Sequence, residues 1–309
     1  MLEGELLINF FLLMVSSFVS FFAVVAIVQA FLFFNGRKNF RLRATLCTLP
    51  ILKLPFDGLL FLFFGKSYLK NLSPFACEKF LHYHISQYVP TVWLAAIFYA
   101  VVALSLWLTL RKVVQVYFSL KELYRLAKNG TPVSRKIKTA TRASIIQTAE
   151  LMVPCAFASR YILIPKWLHD TLGDDEYEAV LAHELEHLRQ NDPLIKVSAL
   201  LISTLFWWVP TKWWLNRLEA EQEQACDMSV RQYGVENLTL VNAIYKVLAN
   251  AKQYQHEACL HFSTPRQTPL CRVKMLLSQT APSSENRLFL FLATSGCVAS
   301  TLFFSIWIC

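Results

Sequence analysis

The stretch GDDEYEAVLAHELEHLRQND, residues 173–192, decides how the rest of the chain is read. Gly173, Asp174 and Asp175 supply a turn and a helix start, and the residues from 176 to 189 then continue as a helix. A helix turns once in roughly 3.6 residues, so His183 and His187 leave the same face about one turn apart. Both imidazoles can then hold one ion with Glu184 beside it, which is the mechanical content of an HExxH pattern. The ion expected is zinc, and Glu184 is placed to act as the base that activates a water.

A zinc site that keeps a catalytic position open needs three protein ligands, commonly two histidines and a glutamate. A polar helix expected over residues 217–232 offers Glu219, Glu221 and Glu223, with Asp227 one turn beyond Glu223. Spacing alone leaves all three glutamates open. A ligand glutamate with a carboxylate at the next turn would also provide the acceptor that a metal-bound imidazole requires, and this argument selects Glu223 as ligand and Asp227 as its orienting partner. Glu219 and Glu221 are then expected to be solvated. Cys226 is set aside because it falls on a different face of the helix from Glu223.

The composition sets the surroundings of this site. Of 309 residues, 55% are hydrophobic and only 17% charged, against ~25% charged in an ordinary soluble domain. The apolar residues are clumped into runs long enough to cross a bilayer. Spans are expected at 6–34, 45–65, 89–110 and 287–309. The first has no basic residue before it and reads as a spanning helix rather than a cleaved leader. The run 45–65 is interrupted by Pro50, Lys53, Pro55 and Asp57. Lys53 and Asp57 lie four apart, on one helical face, and are expected to form a bundle-facing salt bridge. The fold class expected is a mainly α membrane protein: four transmembrane helices, with an α+β zinc domain over 111–286.

Lysines and arginines gather at Arg37, Lys38, Arg41 and Arg43, at Arg111 and Lys112, and at Arg287. Cytoplasmic flanks are enriched in these residues, so the segment 111–286 is expected to face the cytoplasm of a bacterial inner membrane, with both ends of the chain outside. The net charge of +9 is concentrated in these flanks and in 112–142, which points to the lipid bilayer as partner and not to direct nucleic-acid binding. The eight cysteines show no close pair and no metal-type spacing, so no disulfide framework is expected.

Within the cytoplasmic segment, residues 112–126 continue the third span as a helix with a basic face. The stretch 128–144 is a polar connector broken by Gly130 and Pro132. Two β-like runs, 144–153 and 161–164, predict a small sheet with an open edge. A short helix is expected at 166–172 and another at 237–253, with a linker at 278–286. Residues 194–215 are apolar and carry Trp207, Trp208, Trp213 and Trp214 around Pro210. Too short for a normal span, they are read as a helix lying at the membrane interface.

The runs HELEHLRQND and LIKVSALLISTLFWWVPTKWWLNRLEAEQEQACD, with RYILIPKWLHDTLGDDEYEAVLAHELEH before them, resemble the BlaR/MecR-type membrane metalloproteases, the antirepressor proteases of β-lactam sensing. The matching marks are the HELxH helix, Asp192 five residues after its second histidine, the tryptophan-rich stretch ending at a proline, and Glu223, Ala225, Cys226 and Asp227. The resemblance is specific over 143–235. It implies a regulatory endopeptidase whose partner is a protein or peptide substrate, a cytoplasmic transcriptional repressor or the chain itself, cut after a membrane signal; self-association is left open. Antibiotic sensors of this type carry a penicillin-binding domain after the fourth span, whereas this sequence stops at Cys309, so the resemblance implies the protease without that receptor. Two other functions stay open: a housekeeping quality-control protease of the membrane, and a non-enzymatic receptor scaffold.

Overall fold

The computed structural model describes residues 2–35, 39–72, 91–133, 143–253 and 269–278, together with 295, 296 and 299. The chain forms two compact units. One comprises Met1–Val113, Ala199–Leu215 and Glu285–Cys309; the other Val114–Ser198 and Asn216–Ser284.

In the first unit, α1 (Leu2–Asn35) packs against α2 (Phe40–Leu72), and α3 (Thr91–Asn129) starts here. Phe21, Val24, Val28 and Leu32 of α1 are buried at helical spacing, as are Leu42, Leu46 and Leu54 of α2. Leu13–Phe33 and Ala95–Asn129 are long and apolar enough to cross a membrane, where spans 6–34 and 89–110 are expected. The run 45–65 lies inside α2, which continues through Pro50 and Pro55. The run 287–309 falls almost wholly outside the described residues, as does the linker beyond Ser278. Lys53 and Asp57 are both buried and pair with each other. Ser20 of α1 donates a second hydrogen bond to Asp57 at 2.9 Å, so the ion pair faces protein, as its spacing predicts.

The tryptophan-rich stretch is not one helix. Helix α6 (Asp192–Leu205) ends, the chain turns over 206–211, and α7 (Lys212–Ser229) begins. Pro210 explains the break: it has no N–H to donate and it biases the preceding residue away from helical backbone. Three indole N–H groups of this connector bond to three different helices. Trp208 donates to Ser17 Oγ at 3.1 Å, Trp214 to the Cys47 carbonyl at 2.8 Å, and Trp207 to Ser105 Oγ at 3.0 Å. Trp214 is fully buried, and Trp213 stacks on Phe22. A buried indole such as that of Trp214 needs a partner for its N–H, and all three N–H groups find one on α1, α2 or α3.

The second unit carries the sheet. Its strands β1 (Thr131–Pro132), β2 (Ser144–Thr148), β3 (Cys155–Phe157) and β4 (Tyr161–Pro165) lie in the order β1-β2-β4-β3. The run 144–153 is thus a strand only to Thr148, and β3, which the sequence pattern does not reveal, pairs antiparallel with β4. Strand β2 runs parallel to β4 in the register Ser144 to Tyr161. The two faces alternate with period two. Ile145, Ile162 and Ile164 join a core with Leu168, Tyr177 and Leu181, whereas Ile146, Phe157 and Leu163 join Leu123 and Leu126 of α3. Gly130 lets α3 end this close to β2: a Cβ there would strike the Ile146 side chain and stand 2.8 Å from the Gln147 carbonyl.

After β4 come α4 (Lys166–Thr171) and α5 (Asp174–Gln190). Beyond α7, a single 3-10 turn over Val230–Tyr233 ends at Gly234 with φ 78°, followed by α8 (Asn237–Gln253) and α9 (Pro269–Ser278). Helix α8 has the bounds expected from the sequence; α9 adds a helix that the sequence does not announce.

Candidate metal centre

Helix α5 is held at both ends. Glu176 accepts the Gly173 N–H at 3.0 Å, and Asn191, at φ 57°, closes the C-terminal turn, a left-handed position that asparagine tolerates. Tyr177, Val180, Leu181 and Leu188 of α5 join the sheet core. That anchoring fixes which way His183 and His187 point. Because Asn191 turns the chain sharply, Asp192 at the start of α6 returns to His187, its Oδ2 standing 2.7 Å from Nδ1.

His183 Nε2 and His187 Nε2 face each other at 3.2 Å. The Glu223 carboxylate comes from α7, with Oε2 3.5 Å from His183 Nε2 and Oε1 3.6 Å from His187 Nε2. Each imidazole also has an aspartate on its other nitrogen. Asp227 Oδ1 lies 3.1 Å from His183 Nδ1, at hydrogen-bonding distance but out of line with the ring N–H. With a carboxylate at each Nδ1, the tautomers are assigned: both Nδ1 atoms carry hydrogen and both Nε2 atoms present lone pairs.

Two lone pairs and a carboxylate converging on one hollow repel one another unless a cation lies between them. The spacing suits a metal ion, because donors 2.0–2.1 Å from a tetrahedral zinc stand about 3.3 Å apart. His183, His187 and Glu223 have one donor atom each within 4.8 Å of the others. The donor set therefore fits zinc.

The electrostatics agree. Burial pushes the imidazole of His183 down, but the Asp227 and Glu223 carboxylates outweigh it and raise it to about 10. His187 is raised against its burial by Asp192 and Glu223. Burial alone would lift Glu223, yet the Arg272 guanidinium and the two imidazoles hold it well below the usual carboxylate range. Three carboxylates around two imidazoles, with one guanidinium against them, make a site that demands positive charge, whether as protons or as a metal ion.

The remaining candidates take different places. Glu184 is buried on α5, and among the described residues no side-chain partner holds its carboxylate. Glu219 pairs with Lys196. Glu221 is 1% exposed and accepts from Arg217 at 2.8 Å, which corrects the expectation that both glutamates are solvated. Cys226 stands beside His187 and Asp192: its Sγ lies 3.3 Å from His187 Nδ1 and 3.5 Å from Asp192 Oδ2. Burial and the surrounding carboxylates push its thiol well up, keeping it neutral. Arg231, one turn past Asp227, bonds to Asn237. The residue that sequence reasoning misses is Arg272 of α9, which donates from Nε and Nη2 to Asp227 at 2.7 and 2.6 Å and reaches Glu223 with Nη1 at 3.1 Å.

A helix that turns two imidazoles toward a glutamate of a second helix, each imidazole backed by a carboxylate, defines the metal-binding core of an HExxH peptidase fold. The profile of the family described as BlaR1 peptidase M56 matches residues 73–276, and the chain belongs to this family. Over 71 residues it is 35% identical to the regulatory protein BlaR1 of Bacillus licheniformis, a match covering 23% of this chain and 12% of that relative.

Proposed function

We propose that the protein is an integral membrane zinc endopeptidase with a regulatory role. The observation that carries this reading is the convergence of His183 Nε2, His187 Nε2 and the Glu223 carboxylate on one buried hollow. These three residues would hold the ion, and His187 would be oriented by Asp192 and His183 by Asp227. Zinc, when bound, supplies Lewis-acid polarisation of the scissile carbonyl and a more acidic water.

Glu184 leaves the same helix as the two histidines, and among the described residues no charged side chain pairs with it. It takes the proton of the attacking water and returns it to the departing amine. An extended peptide would add to the outer edge of β3, which among the described residues pairs only with β4 and lies in contact with α5. Recognition through a strand edge favours exposed, flexible segments of a protein substrate. The regulatory reading rests on the family and on the Bacillus relative, which is named a regulatory protein. With it go four membrane spans, a cytoplasmic metal centre in a bacterial inner membrane, and a cytoplasmic repressor or the chain itself as substrate.

The test uses the full-length protein in detergent. Wild type should carry about one zinc per chain, and H183A/H187A should carry none. Glu184→Gln keeps all three ligands, so it should retain zinc while cleavage falls by at least ~100-fold. Stoichiometric zinc in the double variant, or wild-type turnover in Glu184→Gln, overturns the assignment. Cleavage confined to one repressor supports the regulatory role, and broad cleavage of misfolded membrane proteins replaces it with quality control.

A further inference from the structure

Arg272 is a charge that the proposed mechanism does not use. It lies on α9, its side chain is 11% exposed, and the Asp227 side chain that it meets is fully buried. A buried guanidinium is costly unless its N–H groups are satisfied. Here Nε and Nη2 take the two oxygens of Asp227 in a fork, and Nη1 takes Glu223 Oε2. Such bidentate pairing is directional as well as strong, because both partners are planar.

These contacts bear on the metal centre through geometry. Asp227 Oδ1 is shared between Arg272 Nη2 at 2.6 Å and His183 Nδ1 at 3.1 Å, so the rotation of that carboxylate, and with it the imidazole, is set by the fork. Glu223 Oε2 is shared between Arg272 and the hollow facing His183. All three contacts are with carboxylates, so the guanidinium acts through them.

We propose that Arg272 is a positioning residue of the metal centre: its fork on Asp227 sets the imidazole of His183, and its remaining contact keeps the Glu223 carboxylate turned to the two histidines. This rests on reading His183, His187 and Glu223 as the ligands. Two effects of the guanidinium oppose each other. As a cation it repels zinc, so removing it would tighten binding. As a positioning group it orders two carboxylates, so removing it weakens binding. Groups that orient ligands are worth about 10- to 100-fold in metal affinity, and the fork's geometry makes positioning the larger effect.

The sign of the change is therefore the test. Zinc affinity is measured by chelator competition on the full-length protein, alongside the visible absorption of the cobalt-substituted form. R272M is expected to weaken binding by about 10- to 100-fold and to shift the cobalt bands. R272K keeps the charge but cannot fork; it should also weaken binding and shift the bands, and it supplies the result if R272M does not fold. D227A removes the fork but leaves the Arg272 contact to Glu223, so it should also weaken binding, and the loss in the double variant D227A/R272M should fall short of the product of the two single losses because they share the fork. R272M binding as tightly as wild type or more so, wild-type affinity in R272K, or losses that multiply in the double variant would each overturn the proposal. A wild-type protein that takes up no zinc would instead overturn the ligand assignment, which keeps the two failures distinct.

Discussion

Glu221 and Glu223 stand two residues apart on α7 and should respond to alanine in opposite ways. Structural zinc sites with four ligands are worth about 10–16 kcal/mol, or ~2.5–4 kcal/mol per ligand, so removing one ligand costs roughly 100- to 1000-fold in affinity. Glu223→Ala also leaves Arg272 without its 3.1 Å partner, which adds unbalanced positive charge to the hollow and pushes the loss toward the upper figure. Glu221 has no atom among the converging donors. Its carboxylate pairs with Arg217, whose side chain is 38% exposed, so the ion pair is largely screened and contributes at most ~1 kcal/mol. Alanine keeps the Cβ carbon, so one buried methylene is lost, worth about 0.8 kcal/mol and partly offset by release of the carboxylate's desolvation cost. Glu221→Ala is thus expected to destabilise by about 1–2 kcal/mol and to keep one zinc per chain. Metal analysis after dialysis against a weak chelator, with thermal denaturation of the same samples, separates the two effects. Loss of zinc in Glu221→Ala with retention in Glu223→Ala would refute the reasoning and shift the register of α7 against α5.

Three further outcomes are expected. Asp57→Ala strands the buried Lys53 ammonium and should cost about 3–5 kcal/mol, with Lys53→Ala/Asp57→Ala less damaging than the two single losses combined; additive losses in detergent unfolding would contradict the pairing. Glu176 accepts from Gly173 and Lys246, which outweigh its burial and hold its carboxyl below the ordinary 4.5. That stabilisation is full above the ordinary value and lost as pH falls through the lowered one, so Glu176→Gln should flatten the acid limb of stability, and an unchanged limb would count against it. For topology, Asp175→Cys offers an exposed label site on α5, unlike the buried Cys226. In a background otherwise free of cysteine, a membrane-impermeant reagent should reach Cys77 and miss position 175, and the reverse would place the metal centre outside.

Much of the site can be read from the sequence because its spacing is local. His183, Glu184 and His187 fall within two turns of one helix, and Glu223 with Asp227 about one turn apart on another, so helical periodicity aligns the histidines, and the need of a bound imidazole for an acceptor selects the second pair. Arg272 cannot be found this way: it lies 45 residues from Asp227, and only the packing of α9 brings the two together. Glu221 misleads because its neighbours Glu219, Gln222 and Gln224 are polar, and polarity of a segment does not tell which turn of the helix is covered by another element. Strand β3 has three residues, too few for an alternating pattern to be recognised, and it is defined by its pairing with β4. Four tryptophans around a proline suggest a membrane interface. Trp207 and Trp213 are indeed 40% and 43% exposed, yet the indole N–H of Trp207 is spent on a helix of the protein.

The tryptophan connector threads a segment of one unit through the sequence of the other. Residues Ala199–Leu215 belong to the unit of α1 and α2, yet in the chain they fall between the two histidines and Glu223. No single cut can release a soluble fragment that keeps all three. A fragment beginning near Val114 would retain Trp207, Trp208 and Trp214 but discard Ser105, Ser17 and Cys47, which receive their N–H groups. It would show apolar surface and unsatisfied donors in the very segment that leads into α7. A fragment without α1 and α2 would have to be obtained by rewriting the connector, and a graft of the connector onto foreign helices would succeed only if the three acceptors travelled with it.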